Sequence, residues 1–251
     1  GFAFANFVHV IDMIGTVDVI SHKISFLRIL ALEGETMEIL VTGFDPFDGE
    51  PINPAWEAVK RLDGKVIDRQ HPVHALMIPT VRYEALSAIK RGIERFDPQL
   101  MIAVGQAGGR MAITPERVAI NCDDFRIPDN KGNQPIDEMI VPDGPAAYFS
   151  TLPIKRIVMR LMAAGIPAQV SNSAGTFVCN HVFYGLMDFM KKEGKGRRGG
   201  FIHVPYLPKQ AARLKNEPSM SLEMIVEGLT LAIKASVEIG VDERMTDGVE
   251  C

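Results

Sequence analysis

One cysteine in this sequence stands where a nucleophile would be put. In Ser171-Asn-Ser-Ala-Gly-Thr-Phe-Val-Cys179-Asn-His-Val-Phe-Tyr184, small polar residues give way to an amphipathic pattern that begins near Val178 and runs to about Lys192. The pattern predicts a helix whose first turn carries Cys179. The first turn of a helix offers unpaired N–H groups and the positive end of the helix dipole. Both favour a thiolate, the form of cysteine that attacks a carbonyl carbon. The same N–H groups could hold an oxyanion. Most free cysteines are instead small buried apolar residues, and Cys179 also fits that description until a base is found for it.

A thiol nucleophile needs a base within reach, and the base needs an orienting group. His9 and His22 lie in an N-terminal stretch of doubtful origin, and His71 and His74 flank or enter a strand. His181 is two residues from Cys179, about 200° around a helix, and points away from it. His203, in Phe201-Ile-His-Val-Pro205, lies on an apolar strand just before a loop and is the best candidate base. A core histidine bonded to backbone is the competing reading. Glu116 opens a segment directly after Thr114-Pro115, among apolar neighbours, and is the candidate orienting acid. A surface charge on an edge strand is the alternative there.

The elements that must position these residues can be read from the rest of the chain. With 251 residues, 47% hydrophobic and 23% charged, it is long enough for one substantial core. A net charge of −4 gives no basic surface for nucleic acid or an anionic membrane. The basic, glycine-rich Lys191–Arg198 reads as a solvated loop after a helix. Cys122, Cys179 and Cys251 are an odd set with no CxxC pair. That suits a reducing cytosol and argues against a disulfide framework or a structural zinc site. Cys122 reads as a core strand residue and Cys251 as an exposed terminal thiol.

Residues 1–36 are apolar but interrupted by charges, too short in any uncharged run to span a bilayer, and lack the basic start of a signal peptide. The expectation is an N-terminal extension of doubtful origin, followed by one α/β domain from Met37 to Cys251. Strands are predicted at Glu38–Thr42, His74–Ile78, Leu100–Val104, Glu116–Cys122, Ala168–Val170 and Phe201–Pro205. Helices are predicted from Asn53-Pro54 to about Leu62, and over Arg82–Phe96, Leu152–Ala164, about 178–192 and Ser221–Ile239. Arg126–Gly144, rich in Pro, Asp, Asn and Gly, reads as an ordered loop. The alternation argues for a mostly parallel twisted sheet with helices on both faces, a single-domain three-layer α/β/α sandwich. Loops at the carboxyl ends of strands then build the site.

Four blocks carry a specific resemblance: Val41-Thr-Gly-Phe-Asp-Pro-Phe47; Gly105-Gln-Ala-Gly-Gly-Arg110 through Glu116-Arg-Val-Ala-Ile-Asn121; Ser171 through Cys179-Asn180; and Gly200-Phe-Ile-His-Val-Pro205. Pro128-Asp-Asn130 and Gly144–Pro153 match as well. From Met37 to about residue 240 the chain resembles pyroglutamyl peptidase I, the C15 family of cysteine peptidases. The resemblance implies a Glu116–Cys179–His203 triad that hydrolyses an N-terminal pyroglutamyl residue from peptides through a thioacyl-enzyme. It also implies a substrate pocket of Phe44, Phe47, Gln106, Phe177 and Val178, with Arg126 close to the cysteine. No metal or organic cofactor, a cytoplasmic location and a homotetramer follow from the same resemblance. A thiol amidase for another small acyl group, or a silent protein that binds pyroglutamyl ends, remains the alternative. The sequence departs from the family pattern in the extension and at Asp48, where a glycine is common.

Overall fold

The computed structural model describes residues 36–238 and 242–248; apart from Thr36, the expected N-terminal extension lies outside the described residues, as does Cys251. In chain order the elements are β1 (Ile39–Phe44), α1 (Pro54–Val59), β2 (Val66–Ile67), β3 (His71–Ile78), α2 (Glu84–Phe96), β4 (Leu100–Gln106), β5 (Thr114–Pro115), β6 (Val118–Ile120), β7 (Ala147–Phe149), α3 (Ile154–Ala163), α4 (Val178–Glu193), β8 (Arg198–Val204), α5 (Pro208–Ala211) and α6 (Leu222–Val237).

The main sheet has the order β2-β3-β1-β4-β8-β5. Strands β3, β1, β4 and β8 are parallel, while β2 and β5 are short antiparallel edges. The central strands are buried on both faces, which is why they read as unbroken apolar runs. Side-chain alternation assigns each residue to a layer. Ile39, Val41, Ile102, Val104, Ile202 and Val204 pack with α1, α3 and α6. Leu40, Phe44, Met101, Ala103 and Phe201 pack with α2 and α4. His203 shares the parity of Phe201, so it faces the layer that contains the cysteine helix.

Local chemistry sets the helix ends. Asn53 caps α1, its Oδ1 accepting from Ala55 N–H at 3.0 Å, with Pro54 at the first helical position. Ser221 caps α6 through Met224 N–H at 3.2 Å. Helix α4 closes on Gly194 in the left-handed conformation, φ +70°.

Several sequence expectations need correction. The Ala168–Val170 strand reduces to two isolated bridges, Ile113↔Ala168 and Glu116↔Ser171. Glu116–Cys122 is not one strand. Pro115 belongs to β5 on the edge of β8, and the chain then leaves to pair β6 with β7. Glu116 sits at the crossing, with its N–H on Phe201 O at 2.9 Å and the next N–H, that of Arg117, on Ser171 O at 2.8 Å. Cys122 lies beyond β6 and is partly exposed rather than a core strand residue. Helix α2 begins two residues later than expected, because Arg82 N–H goes to Asp129 Oδ2 and Tyr83 N–H to His181. Within the basic run, Lys191 and Lys192 belong to α4 and Arg198 to β8. The Arg197 side chain is buried against Glu193 at 2.6 Å and Asp97 at 2.5 Å.

Candidate active site

The carboxyl ends of β1, β4 and β8 and the amino end of α4 enclose a cavity of about 270 Å³. This is where an open α/β sheet places a ligand. Phe44 comes from the end of β1, Gln106 from the end of β4, His203 from β8 and Cys179 from the first turn of α4. Phe47, Thr80, Ala174 and Phe177 complete most of the wall. The Phe47 and Phe177 rings lie 6.0 Å apart, and Phe125 braces Phe177 edge-on at 4.8 Å.

His203 is 4% exposed and Glu116 is fully buried. Their contact, Nδ1 to Oε1, is 2.7 Å. A buried carboxylate on Nδ1 fixes the imidazole as the Nδ1–H tautomer, leaving Nε2 as an acceptor. The competing reading of His203 as a core histidine bonded to backbone is thereby replaced by a histidine–carboxylate pair. Arg110 donates to the same Oε1 at 2.6 Å, to Thr114 Oγ1 at 2.5 Å and to Ser173 O at 3.2 Å. Burial alone would raise the Glu116 carboxyl. The hydrogen bond and charge of His203, with the Arg110 charge, outweigh burial and hold it below the usual range. For His203, burial is the largest influence and lowers its pKa; Glu116 opposes this and Arg110 reinforces it.

Gly105 explains how thiol and imidazole share one space. It pairs in register with His203 across β4 and β8. A methyl group at Gly105 would sit 2.9 Å from Cys179 Sγ and 2.8 Å from the Phe201 ring. The Phe201 ring in turn lies 4.8 Å from the imidazole, tilted by 54°. Only hydrogen at this position lets the Cys179 thiol and the Phe201 ring approach the strand.

The thiol itself departs from expectation. Burial, and next the nearby Glu116 charge, push Cys179 up to about 12, despite opposing help from Arg110 and its own backbone N–H. Although Cys179 stands at a helix start, the apolar wall around it weighs against the charged form. Both shifts favour the neutral forms of Cys179 and His203. No side chain caps the first turn of α4, so its N–H groups are not claimed by a cap.

Among the other expected residues, Phe44, Phe47, Gln106 and Phe177 line the cysteine cavity. Val178 does not: it is fully buried in the core. Its helix position turns the side chain inward, leaving only its backbone near the site. Arg126 is exposed and lines an adjoining cavity with Asp48, Glu50 and Tyr206, which shares Phe47, Gln106, Gly108 and Phe177 with the first. His181 points away as expected and is bound to Asp123 and Tyr83. Sequence reading gave Arg110, Thr80 and Gly105 no role. Arg110 was visible only as the end of the Gly105–Arg110 block, and its contact with Glu116 depends on how that loop folds back. Asp48 has φ +53°, a left-handed conformation that glycine adopts without strain. Among the described residues no three His, Cys, Asp or Glu side chains converge as a metal site.

The pyroglutamyl peptidase family profile matches residues 37–239. The chain is 55% identical over 214 residues to the pyrrolidone-carboxylate peptidase of Vibrio campbellii, covering 85% of this chain and 99% of that one. It is 57% identical over 210 residues to the Klebsiella pneumoniae enzyme of the same name, covering 84% and 97%. Among solved structures it is similar to pyroglutamyl peptidase I from Bacillus amyloliquefaciens, with a TM-score of 0.82, 50% identity, and coverage of 84% of this chain and 100% of that one. A mutant pyrrolidone carboxyl peptidase from Pyrococcus furiosus superposes with a TM-score of 0.77 at 44% identity, covering 80% and 98%.

Proposed function

Because this chain belongs to the pyroglutamyl peptidase family, a family of cysteine-type hydrolases, we propose that it removes an N-terminal pyroglutamyl residue from peptides. Cys179 is the nucleophile, His203 the base and Glu116 the acid that orients it. The observation that supports this reading is one cavity holding the Cys179 thiol and a buried imidazole fastened through Nδ1 to a buried carboxylate.

The reaction starts from a neutral pair. His203 Nε2 takes the thiol proton as Sγ attacks the carbonyl carbon that joins pyroglutamate to the next residue. The C=O π pair moves to oxygen, and N–H groups at the start of α4 receive the oxyanion. Glu116 stabilises the imidazolium formed in this step. Collapse breaks the C–N bond, and the departing amine takes the proton from Nε2. Water then attacks the thioacyl carbon and gives a proton to Nε2. The second collapse breaks the C–S bond and returns that proton to sulfur. A thiol raised to about 12 needs such a base, since little thiolate exists beforehand.

Size and wall chemistry support the specificity. A space of about 270 Å³ edged by Phe44, Phe47 and Phe177 suits a small flat ring. The Gln106 backbone at the end of β4 is assigned to the lactam amide. A site that pairs both lactam atoms rejects proline, which lacks the ring carbonyl. Arg126, in the adjoining cavity, is assigned to the leaving peptide. Homotetramer assembly and a cytosolic setting belong to the same reading, and light scattering and cell fractionation test them. Among the described residues no helix is long and apolar enough to cross a membrane.

The test is release of aminomethylcoumarin from its pyroglutamyl and prolyl amides by wild type and Cys179→Ala. Turnover of the pyroglutamyl amide alone, lost in the variant, is expected. Turnover that survives in Cys179→Ala removes this cysteine from the mechanism.

A further inference from the structure

Three consecutive residues at the start of α4 do three different things. Cys179 faces the cavity. Asn180, 1% exposed, accepts from Ile120 N–H at 3.0 Å and donates to Ile120 O at 2.9 Å and Cys122 O at 3.0 Å. His181, wholly buried, is held at both ring nitrogens. Its Nε2 accepts from Tyr83 N–H at 2.9 Å, so Nδ1 carries the proton and donates to Asp123 Oδ2 at 2.8 Å. The proposed reaction gives His181 no task.

The residue that His181 holds is under strain. Tyr83 has φ +60° and ψ −41°, and it begins α2 without a side-chain cap. Such backbone persists only where its surroundings over-determine it. His181 supplies the partner for its N–H, and the two rings meet edge-on at 4.9 Å. Three residues upstream, Thr80 lines the cavity. Thr80 N–H donates to Asp45 Oδ1 at 2.6 Å, and Thr80 Oγ1 donates to Asp45 O at 3.2 Å. Asp45 lies between Phe44 and Phe47, the aromatic wall. A relay of backbone and hydrogen bonds thus runs from the nucleophile's helix through His181, Tyr83, Thr80 and Asp45 to that wall.

We propose that His181 is a positioning residue that sets the aromatic wall, and so the ring of the substrate, in register with Cys179 Sγ. It touches no substrate, and the proposal rests on the functional reading above. The nucleophile and the wall come from different layers of the fold. A misplacement of about 1 Å between them costs on the order of a hundredfold in rate.

The test compares wild type with His181→Phe, His181→Gln and Asp45→Ala. Measurements are kcat and KM on pyroglutamyl-aminomethylcoumarin, the rate of Cys179 alkylation by iodoacetamide, and Tm. Phe keeps the ring contact but loses both hydrogen bonds, and kcat should fall about ten- to hundredfold. Alkylation should stay within about twofold, because the Glu116–His203 pair is untouched. Gln carries one donor and one acceptor and should recover most of kcat. Asp45→Ala cuts the relay at its half-buried far end and should give the same signature; it decides the matter if His181→Phe does not fold. A kcat within about twofold of wild type in a folded His181→Phe or in Asp45→Ala, a folded His181→Gln no faster than His181→Phe, or an equal loss of alkylation overturns the proposal. A wild type that turns over no pyroglutamyl substrate overturns the functional reading as well.

Discussion

Replacing Glu116 by Gln isolates the charge of the proposed triad from its geometry. Oε1 accepts both from His203 Nδ1 at 2.7 Å and from Arg110 at 2.6 Å. The amide oxygen of Gln can occupy that position and keep both hydrogen bonds, so the imidazole tautomer is unchanged. What disappears is a negative charge hydrogen-bonded at 2.7 Å to the imidazolium that forms as the thiol loses its proton, a contact that sets charge centres about 4 Å apart for the Coulomb estimate. At an effective dielectric of about 20, that attraction amounts to about 4 kcal/mol, or roughly a thousandfold in kcat/KM. The pH profile gives a second, signed readout. His203, the proposed base, accepts a proton only when neutral, and burial holds its pKa below 6.5. The wild-type acid limb should therefore lie below pH 6.5. Glu116 is what raises His203 against burial and Arg110, so its neutralisation lowers His203 further and moves the acid limb to still lower pH. The assay is kcat/KM on pyroglutamyl-aminomethylcoumarin from about pH 4.5 to 9, with circular dichroism at each end to confirm folding. A folded Gln variant within tenfold of wild type, or an acid limb that moves upward, would refute the reasoning.

Arg110→Met should move the acid limb the other way, because Arg110 depresses His203; the shift is read from the same pH series. Gly105→Ala forces a methyl against Sγ and the Phe201 ring. It should cost about 1–3 kcal/mol in a denaturant melt and about a hundredfold in kcat. A normal kcat would show that Sγ is not confined there. Asn180→Leu strands Ile120 N–H and the carbonyls of Ile120 and Cys122 beside a buried helix start. It should destabilise by about 3 kcal/mol, lowering Tm by about 6–12 °C in calorimetry.

Much of this molecule is decided by local sequence. The apolar runs within Glu38–Thr42 and Leu100–Val104, of strand length and bounded by glycine, read as buried strands and fall in β1 and β4. Asn53-Pro54 and Ser221 mark helix starts, because a side-chain oxygen there meets otherwise orphaned N–H groups within a few residues. The position of Cys179 at a helix start, and the aim of His181 away from it, follow from helical spacing alone.

Tertiary structure decided what distant segments do to each other. The contact of Glu116 with His203 spans 87 residues, and it joins a chain crossing between β5 and β6 to the end of β8. No periodicity encodes that meeting, and the segment around Glu116 read wrongly as one strand because its backbone is shared between β8 and Ser171. The ionisation of Cys179 is likewise not a local matter. A helix start is a local feature that favours thiolate, whereas desolvation is set by everything packed around the sulfur, and here it prevails. Val178 and Arg126, adjacent in sequence to cavity-lining or loop residues, were parted from the cysteine cavity by which way each side chain turns. Composition and spacing determined most of the elements and offered candidate reactive groups, which the family resemblance joined into a triad. Packing fixed their distances, charges and partners, because those depend on atoms contributed by the whole chain.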